Sequence, residues 1–82
     1  MRLDKYLKVS RLIKRRTVAN DACDGQHITV NGRTAKASYD VKVGDVIALH
    51  FGERVLAVEV LNVSETAGKS EASLLYREVN AQ

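Results

Sequence analysis

With one cysteine, two histidines and no apolar run longer than four residues, this 82-residue chain is poor in the groups that build disulfides, metal sites and membrane spans. Cys23 has no partner for an internal disulfide, which fits a reducing cytoplasm. A structural zinc takes four ligands, and Cys23, His27 and His50 are the only thiol and imidazole donors. Apolar runs such as Val55–Val58 fall far short of the roughly 20 residues of a membrane span. The charged start, with Arg2, Asp4, Lys5 and Lys8, leaves no room for a signal-peptide core. No Walker loop, GxGxxG or placed carboxylate pair occurs, and Ser10, Ser38 and Ser64 have no partnered base. Cys23 lies in an apolar helical stripe, as a buried inert thiol would, and His50 sits mid-strand among apolar neighbours. No repeat, linker or low-complexity segment divides the chain. One domain over residues 1–82 is expected, with no enzyme activity, no cofactor and no metal. A domain this small buries about 60–65% of its unfolded surface, so its stability should be modest.

What the chain does have is positive charge in one place. Residues 1–42 carry ten Lys/Arg against four Asp, a net +6, whereas residues 43–82 carry a net −3. Seven of the thirteen cations fall within the first sixteen residues. The centre of this asymmetry is Lys8–Arg16, KVSRLIKRR, where Leu12 and Ile13 can anchor a segment whose five cations stay wet. Such a half faces a polyanion.

Leu3, Tyr6 and Leu7 share one face of a short helix over residues 2–8, which makes Tyr6 a core residue rather than a base-stacking platform. Val9–Ile13 turns the chain. A second helix runs from Arg15 or Arg16 to Asp24, with Val18, Ala19, Ala22 and Cys23 as its buried face and Gly25 as a left-handed cap. Its polarity is inverted for folding: cations crowd the start, and Asp21 and Asp24 lie near the end. Each placement costs about 0.3–1 kcal/mol at low salt. Cations beside the exposed N–H groups of a helix start make a phosphate site.

His27–Val30 reads as a strand, Asn31-Gly32 as a tight turn, and Arg33–Lys36 as a second extended piece. Ala37–Tyr39 is a loop. Asp45–Phe51, with Ile47, Leu49 and Phe51 on one face, pairs through Gly52-Glu53 with a return strand over Arg54–Val63 that faces Leu56, Val58 and Val60 inward. Ser64–Ser70 reads as a loop, and Glu71–Val79 as either a short helix or a final strand.

The opening RLDKYL, the basic turn, Val30-Asn31-Gly32 and Lys36-Ala37-Ser38, in that order, resemble the αL RNA-binding motif of the S4 domain family. Glu71-Ala72-Ser73-Leu74-Leu75-Tyr76 is similar to the ending of that family's small stand-alone branch. The resemblance covers essentially the whole chain. It implies an α+β fold with two N-terminal helices packed on a small, mostly antiparallel twisted β-sheet. Family members commonly place a Ser or Thr cap before an Arg at the second helix. Here Arg15 takes the cap place and Arg16 the Arg place, which removes a cap worth about 1 kcal/mol and adds charge.

The resemblance further implies binding to rRNA and tRNA on stalled large (50S) ribosomal subunits holding peptidyl-tRNA. Its quality-control branch supports C-terminal alanine tailing with an RqcH-like partner. Its heat-shock branch rescues dissociated subunits. The short chain, without a basic C-terminal extension, sides with quality control. The expectation is a non-catalytic, monomeric, cytoplasmic RNA-binding factor. Arg2, Lys5, Arg11, Lys14, Arg15 and Arg16 would contact phosphates from the helical side, and Asn31, Arg33, Lys36 and Ser38 from the β side. The acidic half would face solvent or a protein. Two other readings are a protein–protein adaptor docking an acidic partner and a minimal enzyme using Cys23 or His50.

Overall fold

A computed structural model describes residues 1–63 and 75–79. Two helices, α1 (Leu3–Val9) and α2 (Arg16–Asp24), precede five strands. These are β1 (Ile28–Val30), β2 (Arg33–Thr34), β3 (Val46–Phe51), β4 (Arg54–Val60) and β5 (Tyr76–Val79). All described pairs are antiparallel, in the spatial order β2-β1-β3-β4-β5. Among the described residues no helix is long and apolar enough to cross a membrane.

Leu3, Tyr6 and Leu7 are fully buried, and they pack with Ala19, Ala22 and Cys23 of α2 against Ile28, Val30, Ile47, Leu49, Val58 and Val60 of the sheet. The spacing in the helices and the alternation in the strands each put one apolar face on the same core. Tyr6 is closed off from solvent, and its Oη donates to the Leu75 carbonyl at 2.6 Å. That carbonyl also accepts the N–H groups of Leu61 at 2.8 Å and Asn62 at 3.2 Å, so α1 and the segment leaving β4 both hold the residue that leads into β5.

Several local expectations change. Val18 is 48% exposed because the buried stripe is Ala19, Ala22 and Cys23, and Val18 lies about 100° around the helix from Ala19. Gly25 is not left-handed: its φ is −79°, and Gln26 takes the positive value of 63°. Glycine fits at 25 for lack of room, since a Cβ there would meet the His27 ring at 2.9 Å and the Asp21 carbonyl at 3.1 Å. Phe51 is 47% exposed and stacks on His27, with ring centroids 6.4 Å apart, instead of entering the core. β2 stops at Thr34 and β4 at Val60, short of the expected ends at Lys36 and Val63. The described part of Glu71–Val79 is the strand β5, while the expected loop Ser64–Ser70 lies outside the described residues. Asn31-Gly32 turns as expected, with φ of 54° and 85°, the double positive pair of a type I′ hairpin. Gly52-Glu53 joins β3 to β4 across the Phe51–Arg54 pair.

Candidate nucleic-acid interface

The turn between the helices is built around one strained residue. α1 ends at Val9, and Arg11 takes φ 62°, a left-handed conformation that costs a non-glycine residue roughly 1–2 kcal/mol. The Arg11 N–H donates to the Lys8 carbonyl at 3.0 Å, and the Ile13 N–H donates to the Leu7 carbonyl at 3.0 Å. Ile13 is thereby drawn into the core while Arg11, Lys14, Arg15 and Arg16 stay exposed. Lys8, Val9, Arg11 and Lys14 line a concavity of about 390 Å³. Lys8, which the charge pattern highlighted but the expected contact set omitted, thus stands with Arg11 and Lys14.

Arg15 is the N-cap of α2, extended at φ −121° and ψ 134°, and no side chain caps the helix start. The first turn has no acidic residue and the last has no basic one. This is the inverted charge arrangement expected from the sequence, set on an uncapped row of N–H groups.

Asp4 organises the next part of the surface, and sequence reasoning missed it. It is only 3% exposed, yet its carboxylate accepts the Lys5 N–H at 2.8 Å, Arg2 Nε at 3.2 Å, and Arg16 Nε and Asn20 Nδ2 at 3.4 Å each. Burial pushes the Asp4 carboxyl up. The bonds from Asn20, Lys5 and Arg16, with the Arg16 charge, outweigh it and hold the group below its ordinary 3.8. Arg2 and Arg16 remain about half exposed, so each has an anchored Nε and an accessible guanidinium. A legible signal existed: Asp4 is the only acid in the first twenty residues.

The β side joins this surface through the backbone. The Leu3 N–H donates to the Tyr39 carbonyl at 2.8 Å, Asp4 N–H to the Ala37 carbonyl at 3.2 Å, and Val41 N–H to the Met1 carbonyl at 2.8 Å. The start of α1 is therefore fixed beside the 37–41 loop. There, Asn31, Arg33, Lys36 and Ser38 line a groove of about 700 Å³ with Val30, Ala35 and Tyr39. Arg33, Lys36 and Ser38 are exposed. Asn31 is engaged within the protein at both ends of its amide: Nδ2 donates to Asp45 at 3.1 Å and Oδ1 accepts the Val46 N–H at 3.0 Å. Its described bonds shape the turn. Lys5 is half-buried and makes interactions of its own. Away from this surface, Cys23 is buried and its thiol is pushed up to about 11 by burial and by the charges of Asp4 and Asp24. His50 meets Thr29 Oγ1 at 3.3 Å.

The S4 domain family model matches residues 1–47, which contain both helices, β1, β2, the loop to β3 and all ten expected contact residues. The chain belongs to the S4 domain family. Over 76 residues this S4 protein is 58% identical to the RQC P-site tRNA stabilizing factor of Halalkalibacterium halodurans, covering 93% of the chain and 86% of that relative. The Bacillus subtilis protein of the same name is 51% identical over 93% of the chain and 88% of its own. Among solved structures, the trimeric heat shock protein 15 of Vibrio cholerae superposes with a TM-score of 0.87 at 35% identity, covering 96% of this chain and 81% of that one.

Asp4 gives this S4 domain a testable pH dependence. A carboxyl held below its unfolded value stabilises the fold at neutral pH, and that contribution disappears as pH falls through the folded value. Asp4→Asn should be less stable than the parent at pH 7. The difference should shrink as pH is lowered from about 5 to about 2, in urea titrations at each pH. A gap that stays constant across that range would mean that the Asp4 charge does not stabilise the fold.

Proposed function

We propose that this chain is a non-catalytic RNA-binding factor of ribosome-associated quality control, of the RqcP type. It would bind rRNA and P-site tRNA on stalled large subunits that still hold peptidyl-tRNA, in the cytoplasm, as a monomer. It would support alanine tailing with an RqcH-like partner. The observation that carries this reading is identity above 50%, over nearly the whole chain, to factors named for stabilising P-site tRNA. The exposed cations around α2 and the turn before it supply the physical means.

Arg2, Lys5, Arg11, Lys14, Arg15 and Arg16 contact phosphates in this reading, and Asn31, Arg33, Lys36 and Ser38 complete the surface. Arg16 is the central contact, since a guanidinium bridges phosphate oxygens where a lysine supplies a point charge. If about four phosphates are neutralised, log K falls with log[salt] at a slope near −3.6, and a fourfold rise in salt weakens binding on the order of a hundredfold. Arg16→Ala should lower that slope by nearly one unit on structured RNA while the protein stays folded. A flat salt dependence in the parent would refute phosphate contact. An unchanged slope in the variant would remove Arg16 from the surface.

The likeness to heat shock protein 15 favours one second reading, rescue of dissociated subunits carrying peptidyl-tRNA. Loss of alanine tails from stalled chains in cells lacking this protein supports the quality-control role. Normal tailing with accumulated peptidyl-tRNA-bearing subunits supports the rescue role. Ribosome pelleting that survives nuclease treatment would point instead to protein-mediated docking.

A further inference from the structure

The groove between the β1–β2 turn and the loop before β3 contains an aromatic ring that phosphate contacts do not account for. Val30 is buried and Ala35 and Tyr39 are half-buried, so these three form the floor, while Arg33, Lys36 and Ser38 stand exposed around it. Tyr39 is held at several points. Its Oη donates to Asp45 Oδ2 at 3.0 Å, its N–H donates to the Lys36 carbonyl at 3.0 Å, and its carbonyl accepts the Leu3 N–H at 2.8 Å. Asp45 is itself fixed, since Oδ2 also accepts the Lys42 N–H at 3.0 Å and Oδ1 accepts Asn31 Nδ2 at 3.1 Å. The ring therefore has a set position before any ligand arrives, and little freedom remains to be lost on contact.

We infer that this groove takes one unpaired nucleotide, its base stacked on Tyr39 and its phosphate held by Arg33 and Lys36. This rests on the RNA-binding reading and specifies the form of RNA recognised on the β side. A paired base hides its faces in the helical stack, so an aromatic ring can add affinity only where a base is splayed out. The groove's volume of about 700 Å³ has room for a nucleotide.

The test uses two RNAs of equal length: a hairpin whose loop carries 2-aminopurine, and a blunt duplex. The parent should prefer the hairpin, with 2-aminopurine fluorescence quenched on binding. Tyr39→Leu should lose about tenfold in affinity for the hairpin, lose the quenching, and keep its duplex affinity and salt slope. Tyr39→Phe keeps the ring and should retain most of the hairpin preference. It serves as the check if the leucine variant is unfolded by circular dichroism. Absence of quenching with the parent protein, or an equal loss on both RNAs in Tyr39→Leu, would overturn the stacking site while leaving phosphate binding intact. Failure of the parent to bind either RNA at low salt would overturn the RNA reading and the groove with it.

Discussion

Replacing Lys14, Arg15 and Arg16 together by glutamine should reduce affinity for structured RNA on the order of a hundredfold at about 0.15 M salt, and flatten the salt slope from near −3.6 to near −0.9. Each phosphate contact releases condensed counterion, and that release is worth more the more dilute the salt, so the loss should nearly vanish toward 1 M. The substitutions fall on exposed positions, and of the three only Arg16 has a described partner, Asp4. Asp4 would keep bonds from Arg2, Lys5 and Asn20, which should hold the fold together. Filter binding across a salt series, with circular dichroism on the same samples, decides the matter. A folded variant with the parent's slope would show that RNA does not approach the start of α2.

Tyr6→Ala should destabilise the domain by about 3–5 kcal/mol, the range for emptying a buried aromatic site. A chain of this length has on the order of 4–12 kcal/mol in total, so the variant should lose a large share of its stability and unfold at a much lower urea concentration than the parent. Tyr6→Phe separates packing from polarity. It removes the 2.6 Å bond to the Leu75 carbonyl, which keeps the Leu61 and Asn62 N–H donors, so the cost should be about 1 kcal/mol. Urea midpoints for the two variants measure both quantities. Equal losses in Phe and Ala would mean that the hydroxyl rather than the ring holds the C-terminal strand.

The elements were legible wherever one local rule acted alone. The Leu3-Tyr6-Leu7 spacing, the Asn31-Gly32 turn and the hairpin at Gly52-Glu53 each follow from period or turn chemistry, and each appears where the pattern put it. The sequence was less informative where a long-range contact decided the outcome. Phe51 continues the alternation of Ile47 and Leu49, yet it stays about half exposed and stacks on His27. Gly25 looked like a cap because glycine commonly is one; its real constraint is local but lies in side-chain placement, the His27 ring and the Asp21 carbonyl leaving no room for a Cβ.

The candidate surface divides in the same way. Charge density located the cations, since clustering is a property of the sequence. It could not reveal that Asp4, a lone acid among them, fastens Arg2 and Arg16 while staying nearly hidden from water. Nor could it show that Asn31 turns its amide toward Asp45 and Val46, so that a residue expected at the RNA contact has its described bonds in the scaffold.

Arg11 occupies a bend that glycine would enter without steric penalty. A chain selected for thermal endurance alone would drift toward glycine at that position and lose a guanidinium from the rim it shares with Lys8 and Lys14. If Arg11 contacts RNA as proposed, endurance and grip are opposed at a single residue, and hardening this domain without blunting it means strengthening the hydrophobic side of the sheet instead.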